Sequence, residues 1–280
     1  MRYLNLGCGS RYDTEWENID FTAHSKFVIS HNLEDGIPSE DNMFDVVYHS
    51  HVLEHFSRDK AQFFIEECYR VLRTGGIIRV VVPDLEDITR NYLWALEKVG
   101  TDGSNAKSNH EWMTIELLDQ MVRRSQGGEM IRYVLSKEIN NREFIAERMG
   151  SEITNIMKSL IKNEFHNSLK TDKNTYNFID KAYLFIKNSK YRKETILKLI
   201  LGKEYPKLQV GRFCESGEMH QWMYDKISLS NLLSKVGFAE IASRNACDSY
   251  VPNWQKFNLD TELDGSVYKP QSLYMEAIKP

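Results

Sequence analysis

The sequence predicts an α/β fold: a doubly wound, mostly parallel seven-stranded sheet interrupted by a large helical insertion. Three observations predict it. Short β-branched and apolar runs alternate with turns and helix-spaced segments over the first 84 residues, the mark of parallel strands buried on both faces. The pattern then gives way to an almost wholly helical stretch over 85–201. Strand-like segments return only near the end of the chain.

Residues 2–6 form a short apolar strand stopped by glycines. Residues 18–21 and 27–29 predict two more strands. Only ten residues separate Gly9 from Asp20, so the first crossover has room for one or two helical turns or a loop. Residues 44–48 are a β-branched central strand. Residues 59–72 carry helical spacing, with Gly75-Gly76 expected to end that helix. Residues 77–82 are the clearest strand, closed by Pro83. Loops are expected at 99–108, 126–128 and 170–174. Residues 176–201 have the pattern of one amphipathic helix. A helix over 228–236 is expected, with Ser228 as its cap and Gly237 as its end. Strands over 240–244 and 272–279 close the sheet. These signals divide the chain into a core over 1–100, an insert over 101–210 and a returning core over 211–280.

The composition, 41% hydrophobic and 27% charged, is that of a globular domain. No apolar run reaches the ~20 residues of a membrane span, and the N-terminal residues lack a signal-peptide pattern. The four cysteines are scattered without a CxxC pair, which predicts free thiols in a reducing cytoplasm. The net charge of -4 is uneven: residues 105–208 hold 19 Lys/Arg against 13 Asp/Glu. A protein that is not basic overall is not expected to bind nucleic acid in bulk.

A strand running into Gly7-Cys8-Gly9 brings backbone N–H groups close to a ligand; a simple tight turn is the competing reading. Asp20, at the end of the next strand, can accept hydrogen bonds from two ribose hydroxyls. A dinucleotide fingerprint requires a third glycine opening a full helix. Asp13, Thr14 and Glu15 stand in that neighbourhood instead.

Leu4-Asn5-Leu6-Gly7-Cys8-Gly9 followed by Trp16-Glu17-Asn18-Ile19-Asp20 resembles the class I S-adenosylmethionine-dependent methyltransferases, which are Rossmann-like. The resemblance continues through Phe44-Asp45-Val46-Val47-Tyr48, His51-Val52-Leu53-Glu54-His55, Arg70-Val71-Leu72-Arg73-Thr74-Gly75-Gly76 and His220-Gln221-Trp222-Met223-Tyr224. It implies S-adenosylmethionine as cofactor and S-adenosylhomocysteine as product. Gly7 and Gly9, with Asn5 and Cys8, would line the methionine part. Asp20 and Phe21 would lie at the ribose, and Asn32 and Leu33 near the adenine. Asn32 stands where the family usually has an acid, though its amide oxygen can still accept a hydrogen bond. His49 and Ser50 would face the sulfonium.

Methyl transfer to a hydroxyl or amine needs a base near the methyl group. The candidates are His49, His51, Glu54, His55, Asp84, His110, Glu111 and His220. His51 is preferred, with His55, Asp84 and His220 beside it. His55 can equally pack locally, Asp84 can cap a helix, and His220 stands where the insert returns to the core. A zinc site from His49, His51 and His55 has no supporting cysteine, so no metal is expected. The basic insert, with 12 Lys/Arg against 5 Asp/Glu over 158–207, is either a solvated helix face or an attractor of an anionic acceptor or surface. A homodimer contact through the insert is another use for its apolar side. Residues 110–120 and 265–274 are similar to methyltransferases that accompany bacterial surface-polysaccharide synthesis, which implies a small-molecule or glycan acceptor. The alternatives are a non-catalytic cofactor-binding module and a methyltransferase acting on protein.

Overall fold

The computed structural model describes residues 1–100, 103–136, 139–169 and 178–280. The loop expected at 170–174 lies outside the described residues. The sheet contains β1 (Tyr3–Leu6), β2 (Glu17–Asp20), β3 (Val28–Ser30), β4 (Phe44–Ser50), β5 (Leu72–Pro83), β6 (Ala239–Arg244) and β7 (Ser272–Ile278), in the order β3-β2-β1-β4-β5-β7-β6. β1 to β5 pair in parallel, and β7 runs antiparallel between β5 and β6. The fold is therefore the Rossmann-like, mostly parallel seven-stranded sheet expected.

Helix α1 (Arg58–Val71) begins at Ser57, whose hydroxyl accepts the Lys60 N–H. It buries Ala61, Phe64, Ile65, Cys68 and Val71 against the sheet. The same face receives Leu229 and Leu233 of α9 (Lys226–Val236). Several local expectations change. The glycine pair does not end α1; Leu72 already starts β5, and Gly75-Gly76 lie within that strand. Asp225, not Ser228, is the N-cap of α9, because the two side chains form a reciprocal capping box. No helix fills the gap between β1 and β2.

The opposite sheet face carries a different cover. The irregular segment between β6 and β7 folds over it, placing Ala246, Val251, Trp254, Phe257 and Leu259 against Trp16, Tyr48 and Tyr274. Its anchor is Arg79 of β5, which is wholly buried and pairs with Asp260 and Glu276, each at 2.8 Å. Arg79 also donates to the carbonyls of Asp248 and Asn245, and its guanidinium lies over the Trp254 ring.

The insert comprises α2 (Leu85–Lys98), α3 (Gly103–Val122), α4 (Gly128–Leu135), α5 (Arg142–Leu169), α6 (Phe178–Lys187), α7 (Ser189–Leu201) and α8 (Tyr205–Cys214). The expected 99–108 loop is shorter, since α3 starts at Gly103. The single helix expected over 176–201 is broken at Asn188, whose side chain caps α7. The insert has its own core of Ile88, Trp112, Met113, Met130, Ile145 and Met149. It meets the loop before β7 at Gly150, where α5 kinks at φ +66°. A Cβ there would lie 2.4 Å from the Tyr268 carbonyl oxygen, so glycine permits α5 to rest on the loop before β7. Among the described residues no helix is long and apolar enough to cross a membrane.

Candidate active site

The carboxyl ends of β1 and β4 open into a cavity of about 220 Å³, where open α/β sheets bind ligands. Asn5, Gly7, Cys8 and Gly9 form one wall, with Ser50 and His51 beyond β4. Arg11 and Tyr48 complete that wall, Leu259, Tyr268 and Lys269 add one from the covering segment, and Glu152 adds one from α5. Those last residues were invisible as site residues in the sequence, apart from the 265–274 similarity. Glu152, Leu259, Tyr268 and Lys269 lie far along the chain and reach the cavity through the cover and the Gly150 kink.

The two glycines do different things. Both have positive φ, +62° at Gly7 and +52° at Gly9. A Cβ on Gly7 would meet Val52 Cγ2 at 2.3 Å, whereas a Cβ on Gly9 would meet nothing within 4 Å. Gly7 thus lets the loop pack on the β4 end. Gly9 leaves open space, as close backbone approach by a ligand requires. Gly7→Ala is expected to destabilise the fold by about 1–3 kcal/mol through strain and overlap. Gly9→Ala is expected to retain more of that stability and lose cofactor affinity instead. Thermal melts and cofactor titration of both variants check this; equal stability losses would contradict it.

Asp20 holds the loop from below: its Oδ2 accepts the Gly9 N–H at 2.8 Å and its Oδ1 the Thr22 N–H at 3.1 Å. Phe21 beside it is largely exposed. Asn5 is buried and donates to Asn18 Oδ1 and the Arg11 carbonyl. Burial, aided by Asp20, pushes the Cys8 thiol up to about 12, so it stays protonated and inert. Arg11 donates to the Asn258, Leu259 and Thr261 carbonyls and pairs with Glu262. Its guanidinium is engaged in clamping the cover to the glycine loop. Further from the cavity, Asn32 Oδ1 accepts the Glu34 N–H and Leu33 is a core residue.

The histidines separate. His51 lines the cavity in the left-handed region, φ +55°. Its Nε2 lies 2.9 Å from Ser272 Oγ and its Nδ1 3.2 Å from Glu54 Oε1. Burial, with nearby Lys269, lowers its pKa against the opposing influence of Glu54. His49 points away from the cavity: it is fully buried edge-on to Phe64, and burial lowers it to about 4. His55 and His220 pack ring against ring, 4.8 Å between centroids, beside Glu54 rather than in the cavity wall. Asp84 accepts the Glu86 and Asp87 N–H groups as the N-cap of α2, and burial raises its pKa. Neither His110 nor Glu111 lines the cavity.

The open Gly9 cradle, the Asp20 carboxylate at its edge and the polar Asn5, Ser50 and His51 fit an S-adenosylmethionine molecule. A family model described as a methyltransferase domain matches residues 4–80. No curated protein matches the sequence. The chain is similar to the crystal structure of an S-adenosylmethionine-dependent methyltransferase from Archaeoglobus fulgidus, with 12% identity, 99% of this chain and 86% of that one covered, and a TM-score of 0.39. It is also similar to an S-adenosylmethionine-dependent methyltransferase structure from Thermotoga maritima, with 12% identity, 100% and 82% covered, and a TM-score of 0.39. The family match falls on the segment that carries β1 to β4, most of β5 and the glycine loop: over residues 4–80 the chain matches a methyltransferase domain, with S-adenosylmethionine as its cofactor.

Proposed function

We propose that the protein methylates a hydroxyl or amine of a small molecule or glycan intermediate, with His51 as the base. The observation that carries this reading is the placement of His51. It faces the cavity from the end of β4, opposite the glycine loop, with Ser272 at one ring nitrogen and Glu54 at the other. If Glu54 accepts the Nδ1 proton, Nε2 is the basic nitrogen. An acceptor hydroxyl reaching Nε2 would take the place of the Ser272 hydroxyl. Asp20 and the glycine loop would hold the cofactor, and binding would align donor and acceptor, which can supply about 7–11 kcal/mol of the barrier.

The acceptor class rests on separate support. The cavity is lined by polar groups, including Lys269 and Glu152, which suits a hydroxyl-rich molecule carrying charge. The similarity of residues 110–120 and 265–274 to surface-polysaccharide-associated methyltransferases favours a sugar-containing acceptor. The basic residues of the insert would attract an anionic one.

The test is transfer of a labelled methyl group from S-adenosylmethionine to a panel of sugars, phosphorylated sugars and simple amines. Transfer to protein alone, or cofactor binding without any transfer, would overturn the acceptor reading. Asp20→Ala is expected to weaken cofactor binding by about 1.5–3 kcal/mol, roughly tenfold to a hundredfold. Asp20→Asn, which can still accept the Gly9 N–H, should lose less. Unchanged affinity in both would remove Asp20 from the cofactor site.

A further inference from the structure

Glu54, His55 and His220 converge at the seam where the chain returns from the insert to the core. One ligating atom from each lies within 4.8 Å of the others. Glu54 is fully buried; among the described residues the one side-chain donor within 3.5 Å is His51 Nδ1, 3.2 Å from Oε1, and Oε2 has none. Its charged-group contacts among the described residues are histidines alone: His51 Nδ1 at 3.2 Å and His220 Nε2 at 4.0 Å. A buried carboxylate with one oxygen unpartnered and no lysine or arginine beside it calls for a cation.

The two imidazoles are prepared to act as ligands. His55 Nδ1 lies 3.2 Å from the Met219 carbonyl oxygen. A carbonyl only accepts, so Nδ1 carries the proton and Nε2 keeps its lone pair. A carbonyl fixing the tautomer in this way is the usual support for a metal-bound histidine. His220 is buried, and its Nδ1 has no partner. The backbone holding these side chains is already tied: the Gln221 and Trp222 N–H groups donate to the Glu54 carbonyl, and the His220 N–H donates to the Gln120 carbonyl.

We propose that Glu54, His55 and His220 bind a divalent cation of the zinc class. Two imidazole nitrogens and one carboxylate oxygen suit such an ion, and three protein ligands leave a fourth position for water or another oxygen. Bond lengths of about 2.0–2.2 Å put tetrahedral ligands about 3.4 Å apart, so the side chains need to close by about an ångström. The carboxylate has two oxygens and enough lone pairs to serve His51 and the ion together. The ion would neutralise the Glu54 charge and pin the 53–55 turn of the core to the chain leaving the insert. This set differs from the His49, His51 and His55 trio considered from the sequence, because His49 faces Phe64 and His51 faces Ser272.

The experiment is calorimetric titration of chelator-treated full-length protein with zinc, and with cobalt for its visible spectrum. The wild type should take up one equivalent, with cobalt showing tetrahedral absorption and zinc raising the melting temperature. Binding should weaken by at least about a hundredfold in His220→Ala and Glu54→Gln, and remain in His24→Ala, which removes an exposed histidine. His55→Gln, at a half-exposed position, serves if the buried variants fail to fold. Failure of the wild type to bind either ion would overturn the proposal, as would full binding by the folded variants. The readout is metal uptake, so it stands or falls apart from the acceptor reading.

Discussion

Arg79→Met is expected to destabilise the protein by about 3–5 kcal/mol, the effect of removing one partner from a buried ion pair. Arg79 is the charge between Asp260 and Glu276, and all three side chains are shut away from solvent. Methionine fills similar space but leaves those carboxylates facing each other's field. Tyr48 still donates to Asp260 at 2.6 Å, and Arg244 still approaches Glu276 at 3.4 Å, so part of the network survives. Arg79→Lys should lose less than Met, since it keeps the charge but not the planar fork. The double variant Arg79→Met/Asp260→Asn should be more stable than the sum of its single changes predicts, because it removes the orphaned charge. Urea or thermal denaturation measures all of these. A loss below about 0.5 kcal/mol for Arg79→Met, the size of an ordinary surface change, would show that the network does not hold the cover. The same variant should bind cofactor weakly, since the loosened segment carries Leu259, Tyr268 and Lys269 into the cavity wall.

This network also marks where the sequence was opaque. The strands were legible because parallel strands buried on two faces must be continuously apolar, and Ile77 to Val82 is such a run but for one residue. That residue, Arg79, was the available signal. An arginine inside a buried strand demands acidic partners, yet nothing local says that they stand 181 and 197 residues away. The irregular cover carried no periodicity to detect. Its apolar residues are spaced by loop geometry, so a cover built from loop and one short 3-10 turn, Trp254–Phe257, could not be foreseen. The glycine loop was legible as a whole but not in its division of labour, because the Gly7 contact with Val52 is tertiary. Asp84 and Asn32 show the opposite case. Both sit where site residues are common, and both side chains cap a helical turn.

His51→Asn is expected to lower kcat by about 10²–10⁴, the usual contribution of a positioned base, while leaving the fold intact. The choice of asparagine separates ring from backbone. His51 lies at φ +55°, a conformation that asparagine adopts more readily than most residues, so lost activity would not reflect a strained main chain. Strain at a cavity-lining histidine is itself a reason to ask what the ring does there. Cofactor affinity should change little, because the loop and Asp20 are untouched. Glu54→Gln should lower kcat less if the carboxylate positions the ring and does not meet the acceptor. In the His51→Asn background the Glu54 change should then add almost nothing, since the group it orients is gone. His220→Ala keeps the His51–Glu54 contact, so it reports separately on the neighbouring cluster. Retention of more than a tenth of wild-type kcat by a folded His51→Asn protein would exclude His51 as the base. Additive losses in the double variant would instead give Glu54 a role independent of His51. Ser272→Ala completes the assignment: if its hydroxyl merely occupies the acceptor's place at Nε2, its removal should leave kcat near wild type, whereas a proton relay through Ser272 would lose rate along with His51.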